Sequence, residues 1–156
     1  MKKLHAGRDK FWNNLTKDSL NEWSLKSQNN RSKSYYHSSL EVRFCSILEQ
    51  LNISFTRQFH INKNRHPYDF HLCDSMIIIE INGNFWHANP KYYNENDIIN
   101  YPSKKLKAKD VWKRDEKFIN WAESNGYKVI IIWEDDFITK NDEELKELFL
   151  NMLNNV

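Results

Sequence analysis

Apolar residues along the chain change their period several times, and each change marks an element. From residue 40 onward, Leu40, Phe44, Ile47, Leu48 and Leu51 recur at steps of three and four, which predicts an amphipathic helix. Ser38 stands three residues before Glu41, the spacing of a capping box, so the helix should begin there. Ile53, Phe55, Phe59 and Ile61 then alternate, with Arg57 breaking the pattern, and predict a strand. Residues 68–73 and 76–82 predict two more strands, joined by a tight turn at Asp74-Ser75. Pro102 and Ser103 open a long helix over 103–125 that Gly126 stops. Val129 to Trp133 is an unbroken apolar run, read as a buried strand, and Leu145, Leu148, Phe149 and Met152 mark a final helix over 142–153. The order helix, three strands, helix, strand, helix predicts an α/β fold with a mixed central sheet flanked by helices.

Ahead of this core, Phe11, Trp12, Leu15, Leu20, Trp23 and Leu25 predict one or two short helices over 8–25. Residues 26–39 are polar; their two tyrosines and three basic residues could meet a phosphate backbone or form a solvated loop. At 156 residues, with 40% hydrophobic and 28% charged residues and little Gly or Pro, the chain has one domain's worth of core and is not a disordered sequence. It has no apolar run near the ~18 residues of a membrane span, and its start lacks a signal peptide's apolar stretch, so a cytoplasmic location is expected. Cys45 and Cys73 show no paired spacing and are read as reduced thiols in or near the core rather than as a disulfide or zinc site. A net charge of +2 is too small to imply nucleic-acid binding by itself. Lys104, Lys105, Lys107, Lys109, Lys113 and Arg114 crowd one segment, which taken alone is a solvated helix face.

The hairpin carries the first chemical signal. A turn centred on Asp74-Ser75 sets Asp69 opposite Glu80, with Cβ atoms about 5 Å apart on one face. Two carboxylates so placed repel each other, and a divalent cation is the simplest compensation; magnesium takes oxygen ligands at about 2.1 Å. The competing reading is an exposed acidic pair on an edge strand, but Glu80 follows Met76-Ile77-Ile78-Ile79, which is too apolar for one. Asp115 is the second signal, because Val111, Asp115, Phe118 and Ala122 form one helical stripe and put an acid on the core-facing side. It either pairs with a nearby cation at the stripe's margin or serves the site. His87 follows the Glu80 strand closely and could act as a general base or as a structural histidine. Phe85 and Trp86 suit a core or a wedge between bases, and Glu41 is accounted for locally by the capping box.

In order, Tyr68-Asp69-Phe70, Ile78-Ile79-Glu80-Ile81-Asn82-Gly83, Phe85-Trp86-His87, Trp112-Lys113-Arg114-Asp115, Gly126-Tyr127-Lys128-Val129 and Ile132-Trp133-Glu134 resemble the very-short-patch-repair (Vsr-like) mismatch endonucleases and related phage and intron homing endonucleases. The resemblance spans roughly residues 36–137 and implies a PD-(D/E)XK, restriction-endonuclease-like core with a dispersed Glu, Asp, His, Asp signature. That signature falls on Glu41, Asp69, His87 and Asp115. The resemblance implies Asp69 as a magnesium ligand together with the Ile81 carbonyl, His87 as the base, Asp115 as its orienter, and Glu41 holding water at the metal. Phe85 and Trp86 match the aromatics that wedge into the duplex. Three positions depart from the pattern: Glu80 is acidic and adds a ligand, Asn82 stands where the superfold has lysine, and Ala88 to Tyr93 contains no zinc ligands.

These readings converge on a magnesium-dependent DNA endonuclease of homing or phage type, with manganese able to substitute and zinc not expected. Its alternatives are a mismatch-repair nickase, a catalytically silent DNA-binding module on the same fold, and an RNA-processing nuclease. Glu41, Asp69, Glu80, His87 and Asp115 form the expected catalytic set, with metal ligands from Asp69, Glu80 and Ile81. Phe85, Trp86, Lys104, Lys105, Lys113 and Arg114 are the expected contacts to double-stranded DNA. Residues 1–35 are expected to form a helical and connector segment open to DNA contacts, and 36–156 the nuclease domain.

Overall fold

A computed structural model describes residues 38–62 and 65–156. The helices expected over 8–25, the connector up to residue 37 and the domain division at residue 35 lie outside the described residues. The first described helix, α1 (Ser39–Gln50), begins with the capping box read from the sequence: the Glu41 N–H donates to Ser38 Oγ, and the Ser38 N–H donates to Glu41 Oε1, both at 3.2 Å. β1 (Phe55–Phe59), β2 (Tyr68–Leu72) and β3 (Ile77–Asn82) then run antiparallel, and β6 (Lys128–Trp133) lies parallel to β3 in the order β1-β2-β3-β6. The crossover from β3 to β6 is α2 (Ala108–Ser124), preceded by two short paired strands, β4 (Ile98–Asn100) and β5 (Lys105–Lys107). α3 (Glu134–Thr139) and α4 (Asp142–Asn154) complete the fold. It is the mixed sheet flanked by helices that the sequence predicts.

Helices cover both faces of the sheet. On one, Phe44, Ile47 and Leu48 of α1, Phe137 of α3, and Leu145 and Phe149 of α4 pack on Phe70, Leu72, Ile79, Ile81, Ile130 and Ile132. On the other, Phe118 and Ala122 of α2 pack with Ile61, Tyr68 and Ile78. Ile78 and Ile79 are therefore both fully buried although they point to opposite faces, which is why β3 reads as an apolar run. A third cluster joins Phe85, Ala88, Tyr93, Ile99 and Tyr101 to Ala108 and Val111 at the start of α2. No helix among the described residues is long and apolar enough to cross a membrane.

Four local expectations are corrected. The helix expected from Ser103 starts at Ala108, because Lys105-Leu106-Lys107 pairs with Ile98–Asn100 as a strand instead. Three residues alternating polar, apolar, polar fit either period, and Ile99 across the ladder decides the outcome. In β1, Arg57 does not break the pattern: its guanidinium lies 5.8 Å from the Phe70 ring centre and pairs with Glu41. The break is one residue on, at Gln58, whose φ of 50° turns Phe59 to the α2 face, where it stacks on His71 at 4.2 Å. Among the described residues β6 is an edge strand with only Ile130 and Ile132 buried, and Cys73 is exposed at the hairpin turn while Cys45 packs on the core. Gly126 does stop α2: at φ 87° it lets its own N–H reach the Glu123 carbonyl at 3.0 Å and the Tyr127 N–H reach the Ala122 carbonyl at 3.1 Å.

Candidate active site

The β2–β3 ladder pairs Phe70 with Ile79 and Leu72 with Ile77, in the register read from the sequence, and Asp69 and Glu80 are the next residue along each strand. The Asp69 N–H donates to Glu80 Oε2 at 3.3 Å, and the Ile81 N–H donates to Asp69 Oδ2 at 2.7 Å. Burial first and the Glu80 carboxylate second push the Asp69 carboxyl up to about 8; the Ile81 N–H opposes this, and the nearby Glu41 adds to it. The Asp69 carboxyl is therefore largely protonated at neutral pH. The donor set suits a divalent metal: it is all oxygen, doubly acidic when deprotonated, and small enough to leave positions for water, as magnesium requires. Among the described residues no third His, Cys, Asp or Glu joins the pair in a metal-binding group.

Glu80 has a partner that the sequence did not suggest. His66 Nε2 lies 3.0 Å from Glu80 Oε1. The imidazole stacks on Phe118 of α2 with centroids 3.7 Å apart and meets the Tyr68 ring edge-on, while the Tyr68 hydroxyl donates to the Phe118 carbonyl at 2.8 Å. Only this tertiary sandwich gives His66 its place. The one local hint is its position three residues before Asp69.

His87 and Asp115 come together as expected. His87 Nδ1 lies 2.7 Å from Asp115 Oδ2, and the carboxylate can only accept there, so Nδ1 carries the proton and Nε2 is left as the basic nitrogen. The other oxygen, Asp115 Oδ1, accepts from Arg114 Nε at 2.8 Å. Asp115 is thus partly exposed and doubly paired rather than a buried acid, and Arg114 is engaged in holding it. The turn that delivers His87 leaves β3 through Gly83. The Asn84 N–H donates to the buried Glu134 at 2.7 Å, and its side chain donates to Asp135 at 2.7 Å. Burial pushes the Glu134 carboxyl up, and the Asn84 N–H partly offsets this. A Cβ at Gly83 would lie 3.3 Å from Trp86 Cδ1, so the turn is closed tightly against the tryptophan.

α2 unites the two pairs. Asp115, which holds His87, and Phe118, which backs His66 and through it Glu80, are three residues apart on one helical face, where Cβ atoms lie about 5–6 Å apart. Glu41 reaches the group from the start of α1, with Oε2 3.4 Å from Arg57 Nη2 and its charge felt by Asp69. Phe85 is corrected: at 2% exposure it is a core residue, so a wedge can rest only on the half-buried Trp86. Trp86 is fixed by Tyr101, whose ring stacks on it at 5.6 Å and whose hydroxyl donates to its carbonyl at 2.9 Å. Lys104, Lys105 and Lys113 are all exposed.

Neither a family model nor a curated protein matches this chain. A solved structure does. The chain is similar to the homing endonuclease I-Bth0305I catalytic domain, at 18% sequence identity and a TM-score of 0.48, over 73% of this chain and 92% of that one.

Proposed function

We propose that this protein is a divalent-metal-dependent DNA endonuclease of homing or phage type. The observation that carries the reading is the His87–Asp115 pair, set one helical turn from the residue backing the Asp69–Glu80 carboxylates. A histidine held at Nδ1 by a carboxylate, on the helix whose Phe118 also backs the Glu80 partner His66, is suited to hydrolysing a phosphodiester. His87 Nε2 takes the proton of the attacking water. Asp115 keeps the ring turned and stabilises the imidazolium that forms, and Arg114 in turn holds Asp115. Asp69, Glu80 and the Ile81 carbonyl would hold magnesium, or manganese in its place, which when bound neutralises charge on the phosphoryl and leaving oxygens. His66 fixes the orientation of Glu80. Glu41 orients water from the α1 side. Trp86 presents a ring to the bases, and Lys104, Lys105 and Lys113 meet phosphates.

The test is cleavage of supercoiled plasmid with magnesium and with EDTA. Magnesium-dependent nicking or linearisation, lost in His87→Ala, is the expected result. Binding without cleavage in any divalent metal would leave a DNA-binding module in place of an enzyme.

A further inference from the structure

Two three-residue strands are inserted between β3 and α2, and the hydrolytic chemistry does not use them. β4 and β5 pair Ile98 with Lys107, Ile99 with Leu106 and Asn100 with Lys105. The middle pair points inward, with Ile99 fully buried and Leu106 packed on the same cluster as Phe85 and Tyr101. The other two pairs point outward, so Ile98, Asn100, Lys105 and Lys107 share one exposed face, with Ile98 at 53% exposure. That face carries two cations, an amide and an aliphatic side chain, and no acid. The loop closing the ribbon, residues 101–104, is fastened at Tyr101 to Trp86, the neighbour of His87. The ribbon is thereby anchored to the segment that carries the candidate base.

We propose that the β4–β5 ribbon enters the major groove of duplex DNA and reads base edges there, a role that rests on the endonuclease reading above. The dimensions agree, because three-residue strands span about 10 Å and the B-form major groove, about 12 Å wide, admits a two-stranded ribbon. The Asn100 amide offers the donor and acceptor that adenine N6 and N7 complement. Ile98 provides an apolar surface for a thymine methyl, and Lys105 and Lys107 reach guanine O6 and N7 or the flanking phosphates. An outer face without aromatic rings lacks the stacking platform of single-strand binders, and the major groove of A-form RNA is too narrow to enter. Duplex DNA is the occupant that both the charge and the shape fit.

The experiment measures binding in EDTA, so that cleavage does not intervene, using a duplex pool with a randomised centre as the probe. The wild-type protein should enrich a set of related sequences. Asn100→Ala should lose preference at one or more positions while keeping its affinity for unselected duplex. Lys105→Ala with Lys107→Ala should weaken all duplexes and reduce the slope of log affinity against log salt by up to about 2. All four side chains point outward, so melting temperatures should not move; if the alanine pair does lower them, Lys105→Gln with Lys107→Gln repeats the measurement at nearly constant side-chain length. Identical enrichment and affinity in every variant would overturn the ribbon's role and leave the endonuclease reading standing. Weakened binding in the lysine variant with the sequence preference of Asn100→Ala intact would also overturn base reading, by reducing the ribbon to a phosphate clamp. A wild-type protein that binds no duplex would overturn both.

Discussion

Between pH 3.8, the ordinary value of an aspartate, and about 8, the folded chain holds a proton on Asp69 that the unfolded chain has released. The folded state binds more protons over that window, so stability falls as pH rises through it, and the loss is complete above about 8. Asp69→Asn keeps an acceptor for the Ile81 N–H, gains a donor toward Glu80 and removes the charge. The metal-free variant should therefore melt higher than wild type, by a margin that grows from pH 4 to pH 8 and then levels; the check is paired melting curves in EDTA across that range. A margin independent of pH would show that the carboxyl is not perturbed. Asp115 separates activity from stability in a different way. Its partner Arg114 is 38% exposed, so water can solvate the guanidinium when Asp115→Asn removes the charge. The expected outcome is a cleavage rate at least ~10-fold lower with little change in melting temperature. A large melting loss with normal cleavage by the folded fraction would make Asp115 scaffold. The pairing of Asp69 with Glu80 was legible because a tight turn fixes hairpin register residue by residue. His66 was not legible, because its role exists only where Phe118, 52 positions along the chain, closes over it.

At the scale of elements, long periodic segments were readable and short ones were not. α1, α4, the β2–β3 hairpin and β6 each carry enough alternation or enough of a stripe to declare themselves. β4, β5 and α3 have too few residues for a period; β4 and β5 are decided by each other across the ladder, and α3 starts on the acids Glu134, Asp135 and Asp136, which favour a helix N-terminus. Gly126 shows how one backbone position ends an element. At φ 87° an alanine would be strained, although the nearest atom to its Cβ, Met76 Cε, is 3.7 Å away and leaves room. Gly126→Ala should therefore cost about 1 kcal/mol of stability through backbone strain alone. The cost should appear in denaturant melts with the slope unchanged, and cleavage by the folded protein should stay at the wild-type rate. No loss of stability would mean that α2 can end by another route.

In the whole molecule, the sheet separates two tasks. Its α1–α4 face carries the larger apolar core, and its α2 face carries a smaller one where His66, stacked on Phe118, meets Glu80. The overall architecture was legible because that division writes an apolar run into β3 and a mixed stripe into α2. The polar contacts that brace the His87 turn, from Asn84 to Glu134 and Asp135, were not, since they join segments about fifty residues apart. The account predicts that a positioned histidine, rather than the scaffold or the basic surface, makes this fold an enzyme. The measurement is the single-turnover cleavage rate of His87→Ala in magnesium, beside its duplex affinity in EDTA. The predicted result is a rate lower by ~10²–10⁴-fold with affinity essentially unchanged; cleavage at the wild-type rate would contradict it.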